Sequence, residues 1–326
     1  MPASRLLEPE NIPSSLWLAD EGTLLFPASL CSVYAGILEE EGLTSLVTYG
    51  NCEGAVGGVS KQDTDRHFAQ AFSGSVARVL LAVLDPKNEV ADASDAFIRC
   101  TSGSSVCITD APCGSGAAAA AYLCAIAELR AEKVIPREPL FVKVIGGELS
   151  TTARKYAEAI MGKIQPFLEE QAIFVSFQFQ GWDVKCQNST ADLVTKCILG
   201  SVDIENKLLM IANFSAFLQS SGNRKGSERQ LEELFRYASA QKSFAVWMEP
   251  PMNKVLDSNG LFAWLANNMV TKWKGFTRVM QRWILASGRG ETEIVATSEA
   301  KYRHPLNSEH KPSVRLAVVA MALGRE

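Results

Sequence analysis

The sequence predicts an α/β fold with a mostly parallel sheet of seven strands, helices on both faces, an antiparallel carboxyl-terminal strand and a helical cap at the amino terminus. Two observations predict this fold. From Val106 onward, short apolar and β-branched runs alternate with longer segments of helical spacing, as in a parallel sheet buried between helices. The last two runs have no helix between them, so we expect them to pair as an antiparallel hairpin.

The elements follow from hydrophobic period and from helix-start and helix-stop residues. Strands are predicted at 106–110, 140–146, 173–180, 207–213, 244–249, 291–297 and 313–323. Helices are predicted at 29–41, 63–84, 115–132, 150–167, 189–199, 227–241 and near 261–285. Residues 50–58 are rich in glycine and are predicted to form a loop.

The region before the sheet is predicted to fold as a helical cap. Its long second helix carries Phe68, Phe72 and Val76 on one apolar stripe and stops before a proline. The polar stretch 85–105 follows and predicts a boundary. We therefore expect a cap at residues 1–100, which would supply much of a substrate pocket, and a sheet domain at residues 101–326.

The composition is typical of a soluble globular protein. Of 326 residues, 47% are hydrophobic and 21% are charged, and the formal net charge is −4. No basic segment followed by an apolar core opens the sequence, and the most apolar run, 117–129, is too short to span a bilayer. We expect a cytoplasmic protein without a membrane partner.

Cysteine and histidine do not form a recognisable site. The eight cysteines are scattered without a CxxC pair, and there are three histidines, at positions 67, 304 and 310. Neither a zinc site nor a disulfide framework is predicted from these spacings. We expect the cysteines to be buried as small apolar residues, and we assign no metal to the protein.

Positive charge is concentrated toward the carboxyl terminus. Residues 258–326 contain ten Lys and Arg against five acidic residues. Within this segment Lys274, Arg278 and Arg282 recur at helical spacing beside aromatic residues. Such a stripe fits a contact with an RNA backbone, and it equally fits the solvated face of an amphipathic helix. Both interpretations stay open.

The segment VCITDAPCGSGA, residues 106–117, carries the clearest chemical signal. A strand ends at Asp110, and Gly114 and Gly116 then permit a tight turn into an alanine-rich helix. The first N–H groups of that helix point toward the place where open α/β sheets bind ligands. The turn also satisfies a dinucleotide fingerprint, but Glu148, the next acid at a strand end, lies 32 residues past Gly116. Nicotinamide-binding folds place that acid about 20 residues on, so the spacing favours S-adenosylmethionine.

These residues resemble the class I (Rossmann-like) S-adenosylmethionine-dependent methyltransferase family over residues 106–323. DAPCGSG is similar to the family's first motif, and VIGGELSTTARKYAEAI is similar to its second. The resemblance implies that the turn from Asp110 to Gly116 holds the methionine portion and that Glu148 binds the ribose hydroxyls. A helix-capping role is the alternative for Glu148.

Two further strand ends resemble family positions. Trp182 and Asp183 follow the third strand, where the resemblance implies stacking on adenine and acceptance of its amino group. Their alternative roles are core packing and a turn. Asn213 and Phe214 follow the fourth strand, where catalytic or substrate-orienting residues stand in the family, and packing is again the alternative. The sequence lacks both the Asn/Asp-Pro-Pro-Tyr form and a cysteine nucleophile here, so the acceptor is not named.

The resemblance therefore implies a defined set of site residues. The predicted cofactor-binding residues are Asp110, Ala111, Pro112, Cys113, Gly114, Gly116, Glu148, Leu149, Trp182, Asp183 and Asn213. Asn213 and Phe214 are the predicted catalytic residues, Glu249 is expected to be structural, and Asp65, Phe72 and Arg78 lie on a helix expected to cover the cofactor.

The resulting hypothesis is a methyltransferase that moves a methyl group from S-adenosylmethionine to an O or N acceptor, either a small molecule or RNA. Two alternatives remain. One is a non-catalytic S-adenosylmethionine-binding protein acting in RNA or ribosome assembly, and the other is an NAD(P)-dependent oxidoreductase. The oligomeric state is left open.

Overall fold

The computed structural model describes residues 5–49, 60–219, 223–238, 242–251 and 295–323. The predicted loop at 50–58, the helix near 261–285 and the basic stripe of Lys274, Arg278 and Arg282 lie outside these residues.

A single mixed sheet forms the centre of the described structure. Its strands in chain order are β1 (Trp17–Leu18), β2 (Thr23–Leu24), β3 (Ser105–Asp110), β4 (Leu140–Glu148), β5 (Ile173–Gly181), β6 (Asn206–Ala212), β7 (Ser243–Glu249), β8 (Ala296–Tyr302) and β9 (Ser313–Ala322). Their order across the sheet is β1-β2-β8-β9-β7-β6-β3-β4-β5. Strands β3 to β7 are mutually parallel, while β9 runs antiparallel to both β7 and β8.

Helices cover both faces of this sheet. They are α1 (Ala28–Glu40), α2 (Lys61–Leu84), α3 (Ala91–Cys100), α4 (Ala117–Ala131), α5 (Thr151–Glu169), α6 (Gln187–Gly200), α7 (Ser215–Gln219) and α8 (Asn223–Ala238). Apolar residues of α1 to α5 share one buried cluster with one face of the sheet, and those of α6 to α8 share a second cluster with the other face. The predicted fold class is therefore confirmed, including the antiparallel carboxyl-terminal strand.

The sheet has nine strands where the sequence predicts seven. The additional strands, β1 and β2, come from the region predicted to be helical. Each has only two residues, which is too short to show an alternating pattern. They join the sheet because β2 pairs in parallel with β8.

One predicted strand extends further than expected. The sixth strand, predicted at 291–297, is observed as Ala296–Tyr302, and residues 291–294 lie outside the described part of the chain. Its end was misplaced because this segment alternates buried and exposed side chains and contains few apolar residues. The stretch 85–105, predicted as a polar boundary, contains α3, which buries Ala96, Phe97 and Ile98. The buried residues of α3 follow helical spacing on one face, and the helix packs on α2 and β9. The sequence did not reveal this face because several of its buried positions are alanine and serine, which do not by themselves mark an apolar stripe.

Helix α2 is the central helix of the cap region. Among the described residues it is the one helix long and apolar enough to cross a membrane, but most of it is buried inside the protein. Phe68 and Phe72 are almost completely buried there, against Tyr34 and Tyr156. By its contacts α2 is a core helix that packs on α4, α5 and β9. The division into a cap and a sheet domain stays a prediction.

Candidate functional site

The turn after β3 is anchored to both neighbouring strands. The amide of Ala111 donates to the carbonyl of Met210 on β6 at 3.1 Å, and the amide of Cys113 donates to the carbonyl of Gly147 on β4 at 3.0 Å. The peptide bond between Ala111 and Pro112 is cis. The turn is thus held at the carboxyl ends of three adjacent parallel strands, where open α/β sheets bind ligands.

The two glycines of the turn are needed for different structural reasons. Both adopt left-handed backbone conformations, with φ of +51° at Gly114 and +79° at Gly116. A Cβ on Gly114 would meet no atom within 4 Å, whereas a Cβ on Gly116 would lie 3.0 Å from the Cβ of Ala157 on α5. Gly116 therefore allows α4 to begin in close contact with α5, and Gly114 leaves open space above the turn.

Asp110, the last residue of β3, is completely buried. Neither of its carboxylate oxygens has a hydrogen-bond partner among the described residues. Burial raises the pKa of Asp110 to about 8; the backbone amide of Ala119 is near enough to lower this pKa partly, and the charge of Glu148 raises it further. A buried carboxyl group without partners is costly, and such groups are concentrated at functional sites. Asp110 therefore offers an unused acceptor at the base of the turn.

Glu148, the last residue of β4, connects the turn with the start of α5. Its Oε2 accepts from the amide of Gly114 at 3.2 Å, and its Oε1 accepts from the amide of Ser150 at 2.8 Å. The N-cap of α5 is Ser150, whose side chain accepts from the amide of Ala153. Burial raises the pKa of Glu148. Since each carboxylate oxygen can accept a further hydrogen bond, Glu148 keeps acceptor capacity for a ligand.

Trp182 and Asp183, predicted to contact adenine, make local contacts. Trp182 is 3% exposed, and its Nε1 donates to the hydroxyl of Thr190 at 3.0 Å. Asp183 is partly exposed, and its Oδ1 accepts from the amide of Lys185 two residues on. The indole is thus packed in the core beneath the strand ends, with Phe214 6.1 Å away between ring centroids. Asp183 forms an Asx turn and presents a carboxylate at the surface.

The two residues predicted to be catalytic point in different directions. Phe214 is 6% exposed and stacks on Phe217 at 5.3 Å within the core. Asn213 is exposed and has a left-handed backbone with φ of +56°. Its Oδ1 accepts from Arg78, and its Nδ2 donates to the hydroxyl of Ser75 at 3.2 Å. Asn213 is therefore the member of this pair that lies at the surface of the strand ends.

The contacts of Glu249 fit the structural role expected for this residue. The carboxylate is fully buried at the end of β7, and burial raises its pKa. Its Oε1 accepts from the amides of Phe214 and Ser215 and from Nε1 of Trp247, and its Oε2 accepts from the hydroxyl of Ser215. These bonds hold the chain after β6 in place.

Helix α2 is attached at two places along the carboxyl edge of the sheet. At its start, the Thr64 hydroxyl lies 2.9 Å from that of Ser150, and Asp65 Oδ1 accepts from the hydroxyl of Tyr156 at 2.6 Å. Further along, Arg78 contacts Asn213 and donates through Nε to the Arg315 carbonyl at 3.1 Å. Asp65 is thus used for helix packing, and α2 links the ends of β4 and β6 on either side of β3.

Sequence reasoning missed two polar residues beside the turn. Gln180 on β5 pairs with Gly147, is 8% exposed, and its Nε2 has no partner among the described residues. Arg154 donates to the carbonyls of Glu148 and Leu149 and fixes the chain between β4 and α5. Gln180 occurs in an alternating Phe-Gln-Phe-Gln run that resembles an exposed face, so the sequence contained no signal for its burial.

The structure thus brings together part of the predicted set. The turn from Asp110 to Gly116 and Glu148 form one connected group. Leu149 is 49% exposed beside it. Trp182 and Phe214 lie together in the core, and Asn213 faces α2.

The chain matches no protein-family model and no curated protein sequence. Among solved structures it is similar to precorrin-6y C5,15-methyltransferase from Geobacter metallireducens, with 12% identity, a TM-score of 0.31, and coverage of 72% of this chain and 88% of that one. A protein from Methanococcus maripaludis assigned as an S-adenosylmethionine-dependent methyltransferase aligns with 11% identity and a TM-score of 0.33, covering 85% and 97%. One from Listeria monocytogenes assigned to class I aligns with 12% identity and a TM-score of 0.32, covering 90% and 86%.

The strand order of the sheet shows the fold independently of these alignments. The order β5-β4-β3-β6-β7-β9-β8, with an antiparallel β9 between β7 and β8, is that of a class I S-adenosylmethionine methyltransferase-like sheet. The nicotinamide-binding Rossmann fold has six strands in the order 3-2-1-4-5-6, without such an inserted antiparallel strand.

Proposed function

We propose that the protein is an S-adenosylmethionine-dependent methyltransferase acting on an O or N acceptor. The observation that carries the proposal is the buried carboxyl group of Asp110, which has no hydrogen-bond partner among the described residues and lies under a glycine turn at the carboxyl edge of the sheet. A fold by itself hosts many functions, so the site has to support the proposal.

The residues at this edge suit the chemical groups of S-adenosylmethionine. Its methionine portion carries an ammonium group and a sulfonium, and a buried carboxylate gains most from a cationic partner. Asp110 would accept from the ammonium group. Glu148 would accept the two ribose hydroxyls with the acceptor capacity left beside Gly114 and Ser150. Gly114 has room above its Cα for the approach of a ligand.

When bound, S-adenosylmethionine supplies a methyl group attached to a positively charged sulfur. The protein's residues then have to position the reactants and keep water away, because displacement at a methyl carbon depends chiefly on alignment. Helix α2 contributes by its attachments to Ser150 and to Asn213, which hold it along the same edge. We assign Asn213 and Arg78 to the acceptor side and Asp110 and Glu148 to the donor side.

Calorimetric titration with S-adenosylmethionine and with NAD tests the donor assignment. We expect S-adenosylmethionine to bind and NAD to give no heat. Asp110→Asn should weaken binding about 10- to 100-fold, since a hydrogen bond to a charged group contributes about 1.5–3 kcal/mol. Asp192→Asn on the exposed side of α6 is the matched control and should bind like the wild type. Tighter binding of NAD, or unchanged binding by Asp110→Asn, contradicts the assignment.

Transfer is tested separately from binding. Cell extract is incubated with methyl-tritiated S-adenosylmethionine and either the wild type or Asp110→Asn, and the labelled fractions are compared. Label that appears with the wild type alone supports an enzyme and shows whether the acceptor is RNA or a small molecule. Binding without any labelled product would instead indicate a non-catalytic S-adenosylmethionine-binding protein.

A further inference from the structure

Strand β5 forms one edge of the sheet and has an unusual composition for an edge. It pairs only with β4 among the described residues, and its nine residues, Ile173–Gly181, include no charged residue and no proline. Natural edge strands are normally protected by charges, prolines or short length, because their free backbone groups pair readily with another strand. The edge of β5 has none of these protections.

The free backbone groups of β5 belong to its odd-numbered residues. The carbonyl of Ala172 accepts from Leu140, and the amide of Trp182 donates to Glu148, so the even-numbered residues face β4. The N–H and C=O groups of Ile173, Phe177 and Gly181 therefore point outward, away from the sheet. Phe177 is the midpoint of the strand.

Beside this edge lies exposed apolar surface. Phe174 stacks on Phe141 of β4 with ring centroids 5.4 Å apart, and the two side chains are 42% and 59% exposed. A second protein chain that paired with β5 would lie next to this apolar pair and would cover part of it.

Helix α5 runs along the same edge and carries opposite charges on either side of its Gly162. Gly162 lies over the middle of β5, since a Cβ there would be 3.9 Å from the ring of Phe177. Lys155 and Glu169 are each seven residues from Gly162, which is about two helical turns, so they share its side of the helix. Both are exposed, and Lys155 has no ion-pair partner among the described residues.

We propose that β5 is a dimerisation edge that pairs antiparallel with β5 of a second copy of this chain about a two-fold axis at Phe177. This register joins outward-facing N–H and C=O groups over the whole strand, with Ile173 opposite Gly181 of the partner. An axis perpendicular to the sheet keeps both α5 helices on the same face and places Lys155 beside Glu169 of the other copy. The surface is thus complementary to itself in hydrogen bonding and in charge, as an isologous interface requires.

Sedimentation of the full chain tests the association itself. We expect a particle with twice the 35.4 kDa mass of one chain at concentrations from about 1 to about 100 μM, a range in which modest interfaces associate. A monomer throughout this range overturns the proposal.

A matched pair of edge variants tests the surface and the register. In the proposed pairing Ser176 lies opposite Gln178 of the partner, and both side chains are exposed. In the double variant Ser176→Lys/Gln178→Lys, a lysine of one copy faces a lysine of the other at two places in the dimer. This repulsion should raise the dissociation constant about tenfold or more. Ser176→Lys/Gln178→Glu opposes lysine and glutamate and should remain dimeric. Equal dissociation constants for the two variants would exclude this register.

A charge swap on α5 provides an independent test. Lys155→Glu alone and Glu169→Lys alone should each weaken the dimer, because each opposes like charges across the interface. The double variant Lys155→Glu/Glu169→Lys should restore the wild-type dissociation constant. Circular dichroism and melting temperature show that each monomer is folded. A double variant as weak as the single ones contradicts the proposed contact between the two helices.

Discussion

Replacing Asp110 with asparagine should stabilise the protein at neutral pH while it removes the proposed cofactor contact. The carboxyl group is completely buried, and burial raises its pKa to about 8. An aspartate in the unfolded chain titrates near about 3.9, so the two states differ by about four pKa units, each equivalent to about 1.4 kcal/mol. Ionisation of Asp110 in the folded state thus costs the wild type about 5 kcal/mol at pH 8.

The direction of the pH dependence follows from proton binding in the two states. Between pH 4 and 8 the folded protein holds a proton on Asp110 that the unfolded chain has released. The Asp110 contribution to the free energy of unfolding is therefore complete below about pH 4 and falls by about 1.4 kcal/mol per pH unit up to about pH 8. In Asp110→Asn this contribution is absent. The variant should match the wild type within about 1 kcal/mol near pH 4 and exceed it increasingly as the pH rises.

Denaturant unfolding of both proteins at half-unit intervals from pH 4.5 to 8.5 measures this difference, and other titrating groups cancel in the comparison. Calorimetry on the same samples measures S-adenosylmethionine binding. In the wild type the binding constant should rise with pH up to about pH 8, because a cationic ligand favours the ionised carboxyl group. In the variant binding should be weak and should lack this rise with pH. A stability difference that stays constant with pH would refute the reasoning about burial, and unchanged binding would refute the role of Asp110.

Three further predictions concern the framework of the site. Gly116→Ala places a Cβ 3.0 Å from Ala157 at a φ of +79° and should lower the free energy of unfolding by about 2–3 kcal/mol in denaturant. A Cβ in Gly114→Ala meets no atom within 4 Å, so this variant should lose only about 1 kcal/mol. Equal losses would mean that close packing at Gly116 is unimportant. Glu249→Ala leaves buried donors without an acceptor and should lower the free energy of unfolding by about 3 kcal/mol or more; a loss below about 1 kcal/mol would contradict its structural role. Burial lowers the pKa of His304 to about 4, so an NMR titration should find its imidazole neutral at pH 5. The contribution of this neutral imidazole to the free energy of unfolding should be lost as the pH falls below 6.5 toward 4. An apparent pKa near 6.5 would contradict the burial.

The sheet and most of its helices were predictable because their signals are local. Each parallel strand from β3 to β7 is a short apolar run, and a helix follows each of β3 to β6 among the described residues. The predicted and observed boundaries of these five strands differ by at most two residues. The two-residue strands β1 and β2 were missed because their pairing is decided by β8, which lies far away in the chain. Helix α3 was missed for a different reason, since its buried positions Ala93, Ser94 and Ala96 are small residues that do not by themselves mark an apolar stripe.

The candidate site likewise has some features that the sequence predicts and others that only the tertiary structure determines. The glycine turn and the acids at the ends of β3 and β4 could be predicted from the sequence, because a strand, a tight turn and a helix start need particular residues at fixed spacing. The sequence did not determine which side chains have unused hydrogen-bonding capacity. Asp110 without a partner, Trp182 bonded to Thr190 and Asn213 held by Arg78 are properties of the packed protein. They depend on residues distant in the chain that come together only in the tertiary structure, and burial there sets the pKa of each carboxyl group.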